Sequence, residues 1–235
     1  MFDRIAILTY HQVGVFPPSP RRHLYCHVDR FAAQTNYLRR HGYRVLSMDE
    51  AVACLKGERA VPARAVVLTF DDSYDNFLHY ALPALARYRF PAMVYVPSGF
   101  IGQSASWYEG ETNSKPAMLN RNQILELRRS GIDIGSHGVS HARLTQVDDA
   151  RRRDELVRSK SELEQVLGEE VRHFCFPYGD HNATVVEAAR AAGYRSAVTC
   201  VSARASRTHD PLTLPRKAIA YRNTLLGYFW KLHSP

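Results

Sequence analysis

Two adjacent aspartates, Asp71 and Asp72, close an apolar run read as AVVLTFDD, and two histidines four residues apart, His137 and His141, close another in GIDIGSHGVSH. Carboxylates and neutral imidazoles are ligands for divalent cations, and two imidazoles with one carboxylate make an open site with a corner left for water. A second carboxylate beside that site could take the water's proton, which is general-base chemistry. Plainer explanations exist for each pair. Asp72 or Ser73 could cap a following helix, and the His-x-x-x-His could be a turn bearing two exposed imidazoles. Residues four apart share one side of a helix, so the spacing at least permits a shared ion. Two more polar or turn clusters follow apolar runs: Tyr10-His11, and Pro177-Tyr178-Gly179.

The elements around these clusters supply a reason for them to meet. Strand-sized apolar runs cover residues 5–10, 43–46, 65–70, 92–96, 132–136, 171–176 and 194–200. Helical periodicity covers 29–40, 48–56, 76–88, 121–129, 148–167 and 183–192. Ser47 and Glu50 have the spacing of a capping box, and Gly131, Gly168 and Gly193 stand where helices stop. Pro83 predicts a kink or a late start in the 76–88 helix. Strand then helix, repeated about seven times, predicts parallel strands with crossover helices, as a doubly wound sheet or an incomplete barrel. In such folds the strand C-termini converge on one face, where sites are built. All four polar clusters sit at predicted strand C-termini, a convergence that helix capping does not explain. One aspartate with His137 and His141 therefore reads as a metal site. Residues 99–117, which include Trp107, carry no pattern and read as a long loop.

Composition narrows the class. The chain has 235 residues, 45% of them hydrophobic, with no linker, repeat or low-complexity tract, which predicts one domain over 1–235. No run is long enough to span a bilayer, and no secretory apolar segment precedes the first strand, so the expected location is cytoplasmic. Cys26, Cys54, Cys175 and Cys200 are too scattered for a zinc ribbon and read as buried free thiols. Thirty-one Lys plus Arg against 23 Asp plus Glu give a net charge of +8, compatible with an anionic partner, but no nucleic-acid motif accompanies it. The densest basic run, Arg151 to Arg153, is followed at once by Asp154 and Glu155 and reads as the solvated face of a helix.

LTFDD, SHGVSH and FPYG resemble, in order, three motifs of the polysaccharide deacetylase superfamily (NodB homology, carbohydrate esterase family four), over about residues 5 to 220. The resemblance implies a single-domain α/β fold, a distorted (β/α) barrel of about seven parallel strands with its site at their C-terminal ends. It implies removal of an N-acetyl group from an amino sugar with a divalent metal. Asp71 matches the general base, and Asp72, His137 and His141 match the metal ligands. The Tyr178 amide, in the Pro177 turn, matches the oxyanion donor. Zinc is the first choice of metal, with cobalt, nickel or iron accepted by the same ligands.

Two departures from the commonest pattern stand out. No Leu-x-His is present near the C-terminus to act as general acid, and His233 lies in the tail. The LTYH ending of the first run is similar to a branch that includes poly-N-acetylglucosamine deacetylases, in which an N-terminal histidine takes that role; here it is His11, whose alternative is a structural histidine. The arginine that steadies the base is replaced by Cys175. Arg216, with Asp210 nearby, is the substitute preferred over Arg172, its alternative being a surface salt bridge. Tyr74, Trp107 and Tyr221 could stack on a sugar ring or serve as ordinary core or rim aromatics. The expected substrate is small or carrier-linked, and a phosphate-bearing carrier would suit the positive charge. Rivals are a deformylase or cyclic-amide hydrolase on the same scaffold, a non-catalytic carbohydrate-binding module, and a non-haem iron oxygenase, whose His-x-Asp spacing does not match.

Overall fold

The structure, a computed structural model, describes residues 4–16, 22–107 and 115–234. The chain opens with β1 (Arg4–Tyr10), then a small parallel pair, β2 (Gln12–Gly14) and β3 (Tyr25–His27). Next come α1 (Val28–Arg40), β4 (Arg44–Val45), α2 (Met48–Lys56) and β5 (Ala65–Phe70). A π-helical turn at Phe77–Ala81 runs into α3 (Leu82–Tyr88), so Pro83 marks a late start, at the first turn where its missing N–H costs nothing. The middle of the chain alternates: β6 (Ala92–Val96), α4 (Arg121–Arg129), β7 (Ile132–Ser136), α5 (Asp149–Leu167), β8 (His173–Cys175), α6 (Ala183–Ala191) and β9 (Ser196–Val198). It ends with β10 (Ala205–Ser206), β11 (Lys217–Ala218) and α7 (Leu225–His233).

The main sheet runs β10-β1-β5-β6-β7-β8-β9, with β4 beside β5 and β11 beside β1. All its pairings are parallel except β1 with β10. This is the distorted barrel expected, curled through seven strands with helices on its outside. Residues 214–219 bridge the gap between its ends. The Leu214 amide donates to the Ala197 carbonyl of β9, while Lys217 and Ala218 pair with Leu8 and Thr9 of β1.

Alternation along the strands sorts the core into two layers. Even-numbered Ala6, Leu8 and Tyr10 of β1 and Val66, Leu68 and Phe70 of β5 pack outward with Phe31 of α1, Leu85 of α3 and Leu156 of α5. Odd-numbered Ile5, Ile7, Val67, Met93, Tyr95 and Cys175 fill the barrel with Met48, Val52 and Leu55 of α2, which closes its floor. Each such burial contributes about 1.5–3 kcal/mol. The Ser47–Glu50 capping box forms in both directions at the start of α2. Gly135 lies in the interior because Tyr95 crosses it: a Cβ there would stand 2.6 Å from the ring.

Several expectations change. The runs 43–46, 171–176 and 194–200 shrink to strands of two or three residues, because only their centres find ladder partners. Cys26, Cys54 and Cys175 are buried, but Cys200 is exposed. The supposed solvated face of α5 is not solvated at Arg152 and Glu155, both of which are buried. Of the 99–117 loop, residues 108–114 lie outside the described residues; the rest is tied down by a Ser104–Ala117 bridge.

Candidate active site

Strand parity and four bent backbone positions build the site. The inward odd positions run Thr9 and His11 from β1, Thr69 and Asp71 from β5, Gly135 and His137 from β7, and Cys175 from β8. Asp71 and His137 thus continue the inward side of their strands one step past the end. Asp72 would point outward by the same rule. It does not, because Asp72 and Ser73 take left-handed φ values of 71° and 55°, turning the second carboxylate back over the barrel. His141 (φ 56°) and Tyr178 (φ 59°) adopt the same conformation, which is costly for residues with a Cβ and concentrates at functional sites.

Asp72 Oδ1 faces His141 Nε2 at 3.2 Å and His137 Nε2 at 3.4 Å, with all three side chains buried. No hydrogen bond satisfies that oxygen. Ligands bonded at zinc distances in a tetrahedron stand about 3.3 Å from one another, so this spacing suits three arms of one ion. His137 Nδ1 lies 2.7 Å from the Cys175 carbonyl, which fixes its proton there and turns the Nε2 lone pair towards Asp72. Burial would raise the Asp72 carboxyl, but the two imidazoles hold it well below the usual carboxylate range. Burial also lowers the His141 imidazole, favouring the neutral form that coordinates; at His137 burial is outweighed by Cys175 and the carboxylates of Asp72 and Asp71. The donor set and its unpartnered oxygen fit a divalent cation. The expected helical disposition of the two histidines is not what brings them together. Residues 137–141 form an irregular turn after β7.

Asp71 makes a two-pronged ion pair with Arg216, at 2.7 Å from Nη1 to Oδ1 and 2.8 Å from Nη2 to Oδ2. Arg216 is 2% exposed. Its remaining donors reach Thr69 Oγ1 and the Thr199 carbonyl, each at 3.0 Å, and Cys175 Sγ at 3.1 Å. Burial would raise the Asp71 carboxyl; the Arg216 charge and hydrogen bonds more than reverse it and hold it below the carboxylate range. Asp210 pairs instead with Arg190, and Arg172 with Asp49, so neither touches this pair.

Glu155 secures the turn between the two histidines. Its carboxylate accepts from the Val139 and Ser140 amides at 2.7 and 2.9 Å and from the Ser140 hydroxyl. Arg152 reaches the Leu144 and Val147 carbonyls, and Asp180 accepts from Thr145, fixing the next loop to the FPYGD turn. A buried carboxylate inside a run of charges carries no local sequence signal, so Glu155 was not singled out.

A cavity of about 200 Å³ opens over these groups, lined among others by His11, Asp71, Asp72, Tyr74, His137 and His141. Trp107 lies against His141, rings 4.3 Å apart and 16° from parallel. Tyr178 meets His141 edge-on, and the Arg143 guanidinium sits over the Tyr178 ring, 4.1 Å from its centroid. His23, Leu24, Phe176 and Cys200 also line it and were missed; His23 and Leu24 belong to no apolar run, and only the fold of 22–27 brings them over. Pro177 is not in the lining; it is buried and shapes the turn that presents Tyr178. Tyr221 is not in it either, standing beside His27 and Arg30.

The polysaccharide deacetylase family model matches residues 58–197. YxkH of Bacillus subtilis is 25% identical over 217 residues, 92% of this chain and 72% of its own length. The poly-β-1,6-N-acetyl-D-glucosamine N-deacetylase of Escherichia coli K12 is 26% identical over 230 residues, which take in 82% of this chain and 33% of that protein. Among solved structures, the Streptococcus pyogenes deacetylase PplD superposes with a TM-score of 0.86 at 27% identity, over 98% of both chains.

Proposed function

The chain belongs to the polysaccharide deacetylase family, and from that premise we propose that it hydrolyses the N-acetyl amide of an amino-sugar residue with a divalent cation, zinc first, held by Asp72, His137 and His141. One observation carries this: the unsatisfied Asp72 oxygen faced by two imidazole nitrogens, with a second carboxylate locked beside it by Arg216.

A cation held there supplies a Lewis acid that polarises the acyl carbonyl and acidifies water. Asp71, kept ionised and oriented by Arg216, takes the proton from the attacking water. His11 gives a proton to the departing amine, an assignment typically worth about 10²–10⁴ in rate. The Tyr178 amide, displayed by its left-handed turn, donates to the oxygen that becomes negative; one such donor contributes about 3–4 kcal/mol. Trp107 and Tyr74 wall the cavity where a sugar ring would lie.

The substrate proposed is an oligomer or polymer of N-acetylglucosamine, by likeness to the Escherichia coli relative named for that activity. PplD was solved with acetate, the acyl product such a reaction releases. A phosphate-bearing carrier draws no support from the cavity, whose lining includes no lysine or arginine among the described residues.

The test is acetate release from N-acetylglucosamine oligomers before chelation, after chelation and after zinc is restored. Loss and recovery of turnover are expected. Unchanged turnover in the metal-free protein, or no acetate from any N-acetylated sugar, would overturn the proposal.

A further inference from the structure

The last helix, α7, presents more apolar surface than the core can use. Tyr228 and Leu232 are buried against α1 and β1, yet Leu226 is 70% exposed, Trp230 62%, Leu225 48% and Phe229 42%. At 3.6 residues per turn these four fall within about 140° of arc, a continuous stripe beside the buried pair. Scattered apolar residues on a surface need no explanation, but an aromatic and aliphatic stripe of this width on one helix does.

The charge carried by the segment that bears the stripe has one sign. Residues 211–235 contain no Asp or Glu. Arg222 and Lys231 are carried by this segment, and Arg39 and Arg40 end α1, on which α7 packs. Arg64 and Arg204 stand near its far end, where, after burial, they push the His233 imidazole down. Burial, then Lys231 and Arg204, likewise depress Lys217. None of Arg39, Arg40, Arg64, Arg204, Arg222 and Lys231 forms an ion pair among the described residues. On α5, by contrast, Arg151, Arg152 and Arg158 each do.

We propose that α7 docks the protein on an anionic phospholipid surface, with Leu225, Leu226, Phe229 and Trp230 entering the acyl boundary and the surrounding arginines and Lys231 meeting the phosphates. Amphipathic helices that lie in a bilayer interface combine these two features, a Trp/Phe/Leu stripe with flanking Lys and Arg, and basic clusters near a membrane are drawn to acidic headgroups. No helix among the described residues is long and apolar enough to cross a membrane, so the contact is peripheral. The helix packs on α1 and β1, and none of its residues lines the cavity. The inference does not depend on the chemistry proposed for that cavity.

Co-sedimentation of the full chain with vesicles tests it. Binding is expected to vesicles containing phosphatidylglycerol, weaker on phosphatidylcholine alone, and reduced by high salt. The double variant Leu226→Ser, Trp230→Ser alters only exposed positions and should retain its circular dichroism melt while partitioning at least about tenfold less. Absence of binding by the parent protein, or equal binding by parent and variant, would overturn the proposal. So would a concentration-dependent dimer that the variant abolishes without any vesicle binding, which would make the stripe a contact between two copies.

Discussion

Arg216 grips Asp71 with both arms of its guanidinium from 145 residues further along the chain, and both side chains are buried. The pair orients the carboxylate, which lies close to the His137 imidazole. Breaking a buried pair by removing one partner costs about 3–5 kcal/mol, because the other charge is stranded. Arg216→Met should therefore lower stability by about that amount in urea unfolding and abolish turnover. Arg216→Lys should keep the charge, lose the second prong, and show a kcat fall larger than its stability loss. A variant Arg216→Met with parental stability would show that the ion pair is not what holds Asp71.

Asp71 and Asp72 are neighbours assigned different work, and one dialysis experiment separates them. Asp72→Asn should weaken zinc binding by at least about 100-fold, since a ligand is lost. Asp71→Asn should retain zinc while turnover falls by at least about 10³-fold. If the Asp71 variant loses zinc as well, the two roles are misassigned.

His11 lines the cavity from the end of β1. As proton donor to the amine it matters only when the leaving group is basic. His11→Ala should slow amide hydrolysis by about 10²–10⁴ and hydrolysis of an activated acetate ester by far less. Equal losses on both substrates would remove it from that role.

Glu155 ties the turn carrying His137 and His141 to α5. Glu155→Ala leaves the Val139 and Ser140 amides without an acceptor and should cost about 2–3 kcal/mol, together with weaker zinc binding. Burial raises this carboxyl, but its bonds to Ser140 and Val139 win and hold it below the ordinary value. A depressed pKa means stability that is complete above the unfolded pKa of about 4.3 and is lost as pH falls through the lower, folded value. Acid unfolding curves of parent and Glu155→Gln should therefore converge below about pH 4. A stability difference that persists unchanged at lower pH would show that the charge on Glu155 contributes nothing.

The core strands were legible because their apolar runs extend over five or six residues between turn signals: 65–70, 92–96 and 132–136 match β5, β6 and β7 end for end. The floor helix α2 announced itself through Ser47 and Glu50, a local bond that needs no tertiary partner. By contrast β10 and β11, two residues each, exist only because β1 lies alongside them. Helix α7, nine residues after a stretch with no strand signal, was not among the helical runs read from the sequence.

At the site the division follows the same physics. Residue type and order along the chain were enough to nominate Asp71, Asp72, His137 and His141, since ligand chemistry belongs to the side chain and parallel strands bring their C-termini to one end. Orientation was not in the local sequence. That Asp72 turns inward depends on two left-handed residues, that Arg216 rather than Arg172 reaches Asp71 depends on the 214–219 segment bridging the barrel ends, and that Glu155 is buried depends on the histidine turn covering it. The first is a strained local conformation and the other two are contacts between residues apart in sequence; all three are held by burial, and burial is decided only when the whole barrel closes.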